Sequence, residues 1–600
     1  MELERHDYDV VVIGAGGAGL RAAIEAAQSG ARTAVVCKSL LGKAHTVMAE
    51  GGIAAAMAHL YPEDDWRVHF RDTMRGGKML NHWRMAQLHA LEAPDRVHEL
   101  EDWGALFDRT ADGLISQRDF GGHRYARLAH VGDRTGLELI RTLQQRTVAL
   151  GIDVFMECTV TRLLTGPSSG TITGAFGYRR ESGRFLAWRA PSVVLATGGI
   201  GKAYKVTSNS WEYTGDGHSL ALRAGAALVN MEFVQFHPTG MVWPPSVRGI
   251  LVTESVRGDG GVLRNSAGNR FMFDYIPDFF RKETAETEAE ADRWYDDKRN
   301  NRRPPELLPR DEVARAINSE VKAGRGTPHG GVFLDIASRR PAEYIRRRLP
   351  SMYHQFTELA EVDITAEAME VGPTCHYVMG GVEVDPDTAA ASVPGLFAAG
   401  EVAGGMHGSN RLGGNSLSDL LVFGRRAGLA AAEHALKHLD GAALDEQALA
   451  AAARAALAPF DREGGENPYT VQHDLQQTMH DLVGIIRTAP EMERALERIA
   501  DLRERVAGLS VEGHRQYNPG WHLALDLPHL LLVSECIGRA ALERQESRGG
   551  HTRDDFPATD EEWGRTNVVC TLAADGSVAL TRRPLPVMPP ELAAIFAEPA

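Results

Sequence analysis

A glycine-rich turn near the N-terminus constrains the fold of this chain more than any other feature. Residues 14–19 read GAGGAG, which fits the pattern GxGxxG. A β-branched run at 9–13 precedes the turn, a helical pattern at 20–28 follows it, and a second predicted strand covers 33–37. This order predicts a βαβ unit that binds a dinucleotide. Its glycines let the backbone approach a pyrophosphate at the helix N-terminus, where free N–H groups favour an anion.

Two later segments extend this nucleotide-binding unit. Residues 191–199 (PSVVLATGG) and 395–401 (GLFAAGE) are apolar runs with glycine at or near their ends. This pattern is typical of strands whose following loops contact a cofactor. The residues between them, from about 241 to 366, have a different character. They include a charged segment, residues 281–306, that we interpret as a solvated helix or loop. The nucleotide-binding domain is therefore predicted to be discontinuous.

Composition excludes several classes of function. The 600 residues carry a formal charge of -15 and no dense Lys/Arg block, which argues against a nucleic-acid partner. The five cysteines contain no CxxC pair, so we expect a reducing compartment and no disulfide framework, iron–sulfur cluster or zinc site in this chain. Residues 1–9 lack the basic start of a signal peptide, and the apolar run 523–533 is too short to span a bilayer.

The residue after the second predicted strand leaves the nucleotide open. NAD sites usually have Asp or Glu there to bind the ribose, whereas this chain has Lys38. Either the ribose is bound in another way or Lys38 binds a phosphate, as in an NADP site.

A series of motifs along nearly the whole chain resembles the flavoprotein subunit of succinate dehydrogenase and fumarate reductase, the complex II family. In order they are GAGGAG (14–19), HTVMAEGGI (45–53), ATGG (196–199), YTGDG (213–217), QFHPTG (235–240), TESVRGDGG (253–261), LPRDEVARAI (308–317), HYVMGG (376–381), GEVAGGMHGSNRLGGNSL (400–417) and SRGGHTRDDFP (547–557). In this family a Ser/Lys pair commonly follows the second strand and the nucleotide is FAD. The resemblance therefore removes the NADP interpretation.

The resemblance implies an α/β architecture with several parts. A discontinuous Rossmann-like FAD-binding domain at 1–240 and 367–428 encloses an α+β capping domain at 241–366. A helical domain at 429–540 and a small C-terminal domain at 541–600 follow.

The family pattern also implies a dicarboxylate site. It places four side chains around the substrate: His237, Thr253, His376 and Arg411. The planar guanidinium of Arg411 suits a carboxylate because two N–H groups match its two oxygens. Arg310 matches the family's proton donor and acceptor, an unusual role for a group with a pKa above about 12. It requires a dry site and a proton relay, for which Glu254 and Arg257 are the candidates. A purely structural Arg–Glu network is the alternative.

The resemblance assigns the cofactor site to the glycine turn, the loop after the second strand and the end of the FAD-binding domain. These residues are Gly14, Ala15, Gly16, Gly17, Ala18, Gly19, Lys38, Ser39, His45, Thr46, Glu50, Gly51, Gly52, Asp216, Glu401, Asn415, Ser416 and Leu417. His45 is expected to bond covalently to FAD, as the histidine of the HT motif does in family members with an iron–sulfur partner. No metal ligand is predicted in this chain.

Three functions compete at this stage: a complex II flavoprotein, an L-aspartate oxidase, and a flavin-binding scaffold without turnover. His45 argues against aspartate oxidase, which generally lacks it, and the full set of substrate groups argues against a scaffold. Within complex II, succinate dehydrogenase is favoured over fumarate reductase as the commoner role. Glu50 weakens that choice, because fumarate reductases often have AEGG, and an ionised carboxylate there should lower the flavin potential. On this basis Glu50→Gln should move that potential.

Electrons would leave to an iron–sulfur subunit, then pass through membrane-anchor subunits to quinone. Iron–sulfur clusters and any haem are expected only in those partners. The expected location is the cytoplasmic side of the cell membrane, with contact only through partner subunits.

Overall fold

A five-stranded parallel sheet lies at the centre of the nucleotide-binding part. The computed structural model describes residues 2–438 and 443–597. The sheet order is Leu396–Ala398, Ser192–Leu195, Val10–Ile13, Thr33–Val36 and Asp153–Phe155, with every neighbouring pair parallel. The first four of these strands lie within the predicted runs. Their Val, Ile and Leu side chains are buried on both faces, as expected of a sheet covered on each side.

Two helices cover one face of this sheet and pack closely on each other. They are Gly17–Gln28, which begins three residues before the predicted helix, and Asn415–Lys437. A Cβ at Gly428 would lie 2.2 Å from the carbonyl oxygen of Ala22. The absence of a side chain there lets the two helices meet almost backbone to backbone. Helix Thr135–Ala149 also packs in this core.

A four-stranded sheet covers the other face. Its order is Leu3–Asp7, Phe185–Arg189, Ile172–Arg179 and Cys158–Thr165. The core between the sheets extends to helices Pro468–Leu482, Ala489–Ala507 and Pro519–Glu543. The apolar run 523–533 lies inside the last helix, which continues through Pro528. Within the described ranges, no helix is both long enough and apolar enough to cross a membrane.

The inserted segment forms its own core on an antiparallel sheet. Its strands are ordered Val234–Met241, Met369–Val378, Val332–Asp335 and Val262–Arg264. Helix Arg310–Lys322 packs on this sheet through Val313, Ala316 and Ile317. The first two strands also border the nucleotide-binding part, so the sheet links the insert to the site.

The charged segment 281–306 contains one short helix, Glu288–Trp294, whose N-terminus is capped by the Thr287 hydroxyl. Most of its charges are exposed, as predicted, and Arg302 pairs with Glu290 at 2.6 Å. Trp294 is buried and anchors the segment.

The C-terminal strands join a sheet shared with the nucleotide-binding part. The order is Gly381–Val382, Leu228–Val229, Thr566–Leu572 and Val578–Pro584. The α/β fold class is confirmed, while the domain boundaries given above stay predictions, and residues 439–442 of the predicted helical domain lie outside the described part. The remaining α-helices are Trp66–Gly76, Trp83–Asp102, Asp216–Ala224, Ser255–Gly258, Ala342–Arg348, Pro350–Ala360, Glu446–Leu457 and Pro590–Ala593. The remaining strands are Ile53–Ala54, Gln117–Arg118, Leu128–Ala129, Ile486–Arg487 and Thr552–Arg553.

Candidate active site

A long pocket lies at the carboxyl ends of the parallel strands and runs toward the insert. All but three of the predicted site residues line it: Gly14, Ala15, Gly16, Gly17, Ala18, Lys38, Ser39, His45, Thr46, Glu50, Gly51, Gly52, Asp216, His237, Thr253, Glu254, Arg310, His376, Glu401, Arg411, Ser416 and Leu417. Ligands bind at this edge in open parallel sheets because the strands deliver their loops there.

The glycine turn is built for an anion. The N-cap residue of helix Gly17–Gln28 is Gly16, which has no side chain to cap the helix, and the first turn contains no acidic residue. Its N-terminal N–H groups and dipole therefore favour a phosphate. Gly14 has a φ of 116°, and a Cβ there would lie 2.1 Å from the Ala196 carbonyl oxygen, so only glycine fits.

Lys38 is held in a buried ion-pair network. Its Nζ lies 2.9 Å from Asp216 Oδ2, 2.7 Å from Asp526 Oδ1 and 2.7 Å from Thr214 Oγ1. Although burial alone would lower the pKa of Lys38, the charges of Asp216 and Asp526 raise it. Lys38 therefore remains charged beside the pocket and organises the oxygens around it. Sequence reasoning missed Asp526, which lies 488 positions from Lys38.

His45 begins a short 3₁₀ turn, His45–Met48, on the wall of the pocket. Its ring packs edge-on against Tyr213 with centroids 4.9 Å apart, and its Nε2 lies 3.4 Å from the Asn209 amide nitrogen. Its Nδ1 is buried and makes no hydrogen bond within residues 2–438 and 443–597. Burial, helped by the charge of Lys202, lowers the pKa of His45 to about 4. The imidazole is therefore neutral and can act as a nucleophile.

Glu50 is buried, and its Oε2 has no hydrogen-bond partner in the described structure. Burial and the nearby Asp133 raise the pKa of Glu50 well above its ordinary value, against the opposing effect of Arg118. The raised pKa favours the uncharged acid over the carboxylate. This changes the interpretation made from the sequence, in which Glu50 acts as a negative charge on the flavin.

Glu401 is a second neutral carboxyl. Its Oε1 accepts a hydrogen bond from the Val378 N–H at 3.1 Å. Burial raises the pKa of Glu401 to about 8, although the Val378 N–H and Arg411 act in the opposite direction.

Arg411 lies at the end of the pocket that faces the insert. Its terminal nitrogens donate to Gln235 Oε1 and Ser416 Oγ, both at 3.0 Å, and its guanidinium stacks over Tyr377 at 4.3 Å. The buried Nε has no partner among the described residues. Burial and the neighbouring Arg310 lower the pKa of Arg411 to about 10, so it remains charged at neutral pH.

Two histidines stand beside Arg411. The rings of His237 and His376 are 5.3 Å apart, and His376 Nδ1 lies 2.8 Å from Ser208 Oγ. The strand pairing of Val234–Met241 with Met369–Val378 brings these two distant positions together. Burial and neighbouring arginines lower the pKa of both rings well below the usual value. Both are neutral hydrogen-bonding groups. Thr253 Oγ1 lies nearby in the same pocket and contacts Ser255.

Arg310, Glu254 and Arg257 form a buried chain. Arg310 Nε donates to Glu254 Oε2 at 3.0 Å, and Arg257 Nη2 lies 3.8 Å from the same oxygen. The other oxygen of Glu254 accepts the Gly121 N–H at 2.8 Å. Burial alone would raise the pKa of Glu254, but Arg310 and Arg257 outweigh it and hold the pKa below its ordinary value. Arg310 Nη1 is buried without a partner in the described structure.

Three predicted residues do not line the pocket. Gly19 lets the helix pack on the glycine turn, since a Cβ there would lie 2.0 Å from the Gly14 carbonyl oxygen. Asn415 directs its side chain to Thr73 and His69, both at 3.0 Å. Arg257 lies behind Glu254 and is fully buried.

Sequence reasoning missed several lining or supporting residues. Tyr213 and Tyr377 flank His45 and Arg411, and Gln235 orients Arg411. All three fall within the quoted motifs YTGDG, HYVMGG and QFHPTG. The motifs therefore mark the correct segments, but their spacing alone cannot show which of their residues face a ligand.

The charges at the insert end suit a dianion. Three guanidiniums, of Arg310, Arg411 and Arg257, surround one ionised carboxylate, Glu254, while the two histidines are neutral and the raised pKa of Glu50 favours its uncharged form. The result is an excess of two positive charges in a buried space. At the other end, the glycine turn and the uncapped helix fit the pyrophosphate of a dinucleotide.

Comparison with known proteins identifies this dinucleotide. Residues 9–417 match the family described as "FAD binding domain", and residues 472–593 match "Fumarate reductase flavoprotein C-term".

Within the described residues, no group of three or more His, Cys, Asp or Glu side chains is placed to hold a metal ion. The five cysteines are buried and free.

Relatives cover almost the whole chain. The structure of Mycobacterium smegmatis Sdh1 is 63% identical, with a TM-score of 0.87, covering 99% of this chain and 97% of its own. The E. coli quinol fumarate reductase flavoprotein is 34% identical, with a TM-score of 0.88 and 98% of both chains covered. The fumarate reductase (CoM/CoB) of Methanothermobacter marburgensis has a subunit that is 43% identical, over 94% of this chain and 97% of its own. The chain therefore belongs to the flavoprotein-subunit family of succinate dehydrogenases and fumarate reductases, which are FAD-dependent oxidoreductases.

Proposed function

We propose that this chain is the flavoprotein subunit of a succinate dehydrogenase and oxidises succinate to fumarate. The observation that carries the proposal is the buried excess of two positive charges, with unpartnered N–H groups on Arg310 and Arg411. A buried N–H without a partner is costly, so it marks a place where a ligand oxygen belongs. Succinate has two carboxylates and matches this charge.

Different side chains would bind the substrate and move its proton. Arg411 binds one carboxylate, and neutral His237, His376 and Thr253 donate hydrogen bonds to the oxygens that remain. Bound FAD supplies the acceptor for the hydride that leaves one methylene carbon. Arg310 takes the proton from the adjacent carbon. To act as a base, the charged guanidinium must first pass one of its own protons to Glu254, which lies 3.0 Å from Arg310 Nε and 3.8 Å from Arg257 in a space that excludes water.

Fumarate reduction is the second candidate. The same groups serve the reverse reaction, and two of the relatives described above are fumarate reductases. The greater identity to Mycobacterium smegmatis Sdh1 favours the dehydrogenase. L-Aspartate oxidase is less favoured because a neutral, nucleophilic His45 faces the pocket. A scaffold role is less favoured because the unpartnered cations would have no ligand.

The partners follow from the chemistry. No group of three or more metal-ligating side chains occurs within the described residues, so the electrons would pass to clusters in an iron–sulfur subunit, then through membrane-anchor subunits to a quinone. The relative in Mycobacterium smegmatis is described as a complex, one structure of which holds UQ1. The proposed location is the cytoplasmic face of the cell membrane, through those partners.

Substitution of Arg310 tests the proposal. Arg310→Gln and Arg310→Lys should lower the kcat for succinate oxidation by about 10²–10⁴-fold, the range for loss of a positioned proton acceptor. The bound flavin should stay at the wild-type level, measured by its absorbance. Arg346→Gln, an exposed residue of the same insert, is the control. Near-normal turnover of either Arg310 variant would remove Arg310 from the mechanism.

A further inference from the structure

A second cavity lies beside the flavin pocket. It has a volume of about 490 Å³ and lies between helix Trp66–Gly76 and the charged segment 281–306. Neither the cofactor nor the substrate assignment uses it. The segment 281–306 also has no role in the proposed function.

The cavity is strongly basic although the chain is acidic. Seven Arg or Lys side chains line it against two carboxylates, Asp72 and Glu283, in a protein with a formal charge of -15. Arg71 and Arg124 come from the nucleotide-binding side, and Arg299 and Arg303 come from the charged segment. Both walls are positive, so they repel each other across the space unless an anion lies between them.

Several of these cations have no counter-ion. Four of the seven are paired: Arg302 with Glu290 at 2.6 Å, Arg75 with Glu283 at 3.2 Å, Lys78 with Glu312 at 3.8 Å and Arg303 with Asp119 at 3.9 Å. Arg71, Arg124 and Arg299 make no ion pair within residues 2–438 and 443–597. Arg71 is only 8% exposed, and its buried Nε has no hydrogen-bond partner there. A buried N–H without a partner is unfavourable, and an anion in the cavity would supply the missing acceptor.

The cavity adjoins the dicarboxylate end of the flavin pocket. Leu308 and Pro309 line it, and the next residue, Arg310, lines the flavin pocket. Leu412 likewise lines the cavity directly after Arg411. Gly122 and Leu412 pack against each other in the lining of the cavity, since a Cβ at Gly122 would lie 2.5 Å from Leu412 Cδ2.

We propose that this cavity is a second anion site, which binds a small dicarboxylate beside the substrate pocket. The choice of a dicarboxylate rests on the proposed function, whereas the affinity for anions rests on the charges of the cavity itself. The bound anion would bridge Arg71 and Arg124 on one side to Arg299 on the other. It could be substrate on its way to Arg411 or a separate carboxylate effector.

Malonate binding to the flavin-loaded complex tests the site. Malonate is a dicarboxylate that lacks the CH–CH bond to be oxidised. Calorimetry at low ionic strength should find two equivalents per flavin, of which one also perturbs the flavin absorbance. The double variant Arg124→Gln/Arg299→Gln should weaken the spectrally silent equivalent at least about tenfold, because two exposed, unpaired cations are lost. Arg71→Gln should do the same.

The matched control is Arg494→Gln/Arg498→Gln, which removes two exposed arginines of helix Ala489–Ala507. It should keep both equivalents. The absence of the spectrally silent equivalent in the wild type, or two undiminished equivalents in the Arg124/Arg299 variant, would overturn the site. If only the equivalent that perturbs the flavin were missing, the proposed function would fail while the cavity site stood.

Kinetics distinguish the two sources of the anion. If the anion is substrate in transit, kcat/KM for succinate in the Arg124/Arg299 variant should fall about three- to tenfold at low ionic strength with kcat unchanged. If it is a separate effector, malonate binding is lost while kcat/KM stays at the control value. Either result, with the loss of the silent equivalent, supports the site.

Discussion

Burial sets the protonation states of the residues around the substrate pocket. It favours the neutral forms of His237, His376 and Glu50 by lowering the pKa of the histidines and raising that of the carboxyl. Glu254 is the exception, because Arg310 and Arg257 hold its pKa below the ordinary value and keep it ionised although it is buried. The charge available to a dicarboxylate is therefore carried by the guanidiniums alone.

Glu50→Gln tests the neutral state of Glu50. Because its pKa is raised, Glu50 is uncharged below that pKa and becomes an anion only as the pH rises through it. The substitution should leave the flavin potential almost unchanged at neutral pH. At alkaline pH the flavin potential of the wild type should become more negative than that of the variant. The expected difference is on the order of tens of mV for one nearby charge.

Spectroelectrochemical titration of the flavin across pH measures this difference. Glu63→Gln, an exposed position, is the control. A clear rise in potential in Glu50→Gln at neutral pH would mean that Glu50 is already ionised there, as the sequence alone suggested.

His45 is proposed to bond covalently to FAD. With its pKa lowered to about 4, the ring keeps a free lone pair at neutral pH. After denaturing electrophoresis the wild-type polypeptide band should fluoresce, and the band of His45→Ser should not. His98→Ser, on the surface, should fluoresce like the wild type. A flavin that acid or detergent extracts completely from the wild type would refute the bond.

At the scale of single elements, the strand–turn–helix unit positions the cofactor. Gly14→Ala should abolish FAD binding, because its Cβ would collide with the Ala196 carbonyl at the end of the neighbouring strand. Gly30→Ala is a matched control, since Gly30 also has a positive φ, of 89°, but has no atom within 4 Å of a Cβ. Gly30→Ala should cost about 1–2 kcal/mol of stability and keep its flavin. The flavin-to-protein absorbance ratio and Tm measure both effects, and full flavin content in Gly14→Ala would contradict the assignment.

Elements with a local signature could be predicted from the sequence. Four of the five parallel strands and the helix after the glycine turn follow from short apolar runs beside glycines, and these depend only on neighbours in the chain. The contacts of Lys38 with Asp526 and of His237 with His376 depend instead on how distant segments pack. The protonation of Glu50 depends on Asp133 and Arg118 in the same way. Such effects of burial have no pattern in the sequence.

At the scale of the whole molecule, the insert and the nucleotide-binding part together build the substrate site. Arg310 comes from the insert, and Arg411 and the glycine turn come from the other part. Relative motion of the two would therefore open the site and would also change the basic cavity between them. This arrangement allows the chemistry to proceed in either direction, since none of the groups belongs to one direction only.

Protein-film voltammetry of the assembled complex with succinate and fumarate is the most direct test of the central claim. It reports the current of both reactions on one sample and therefore gives the catalytic bias. We expect currents for both dicarboxylates, with a larger current for succinate oxidation, and no current for either in Arg310→Gln. The absence of current with both substrates in the flavin-loaded wild type would contradict the claim.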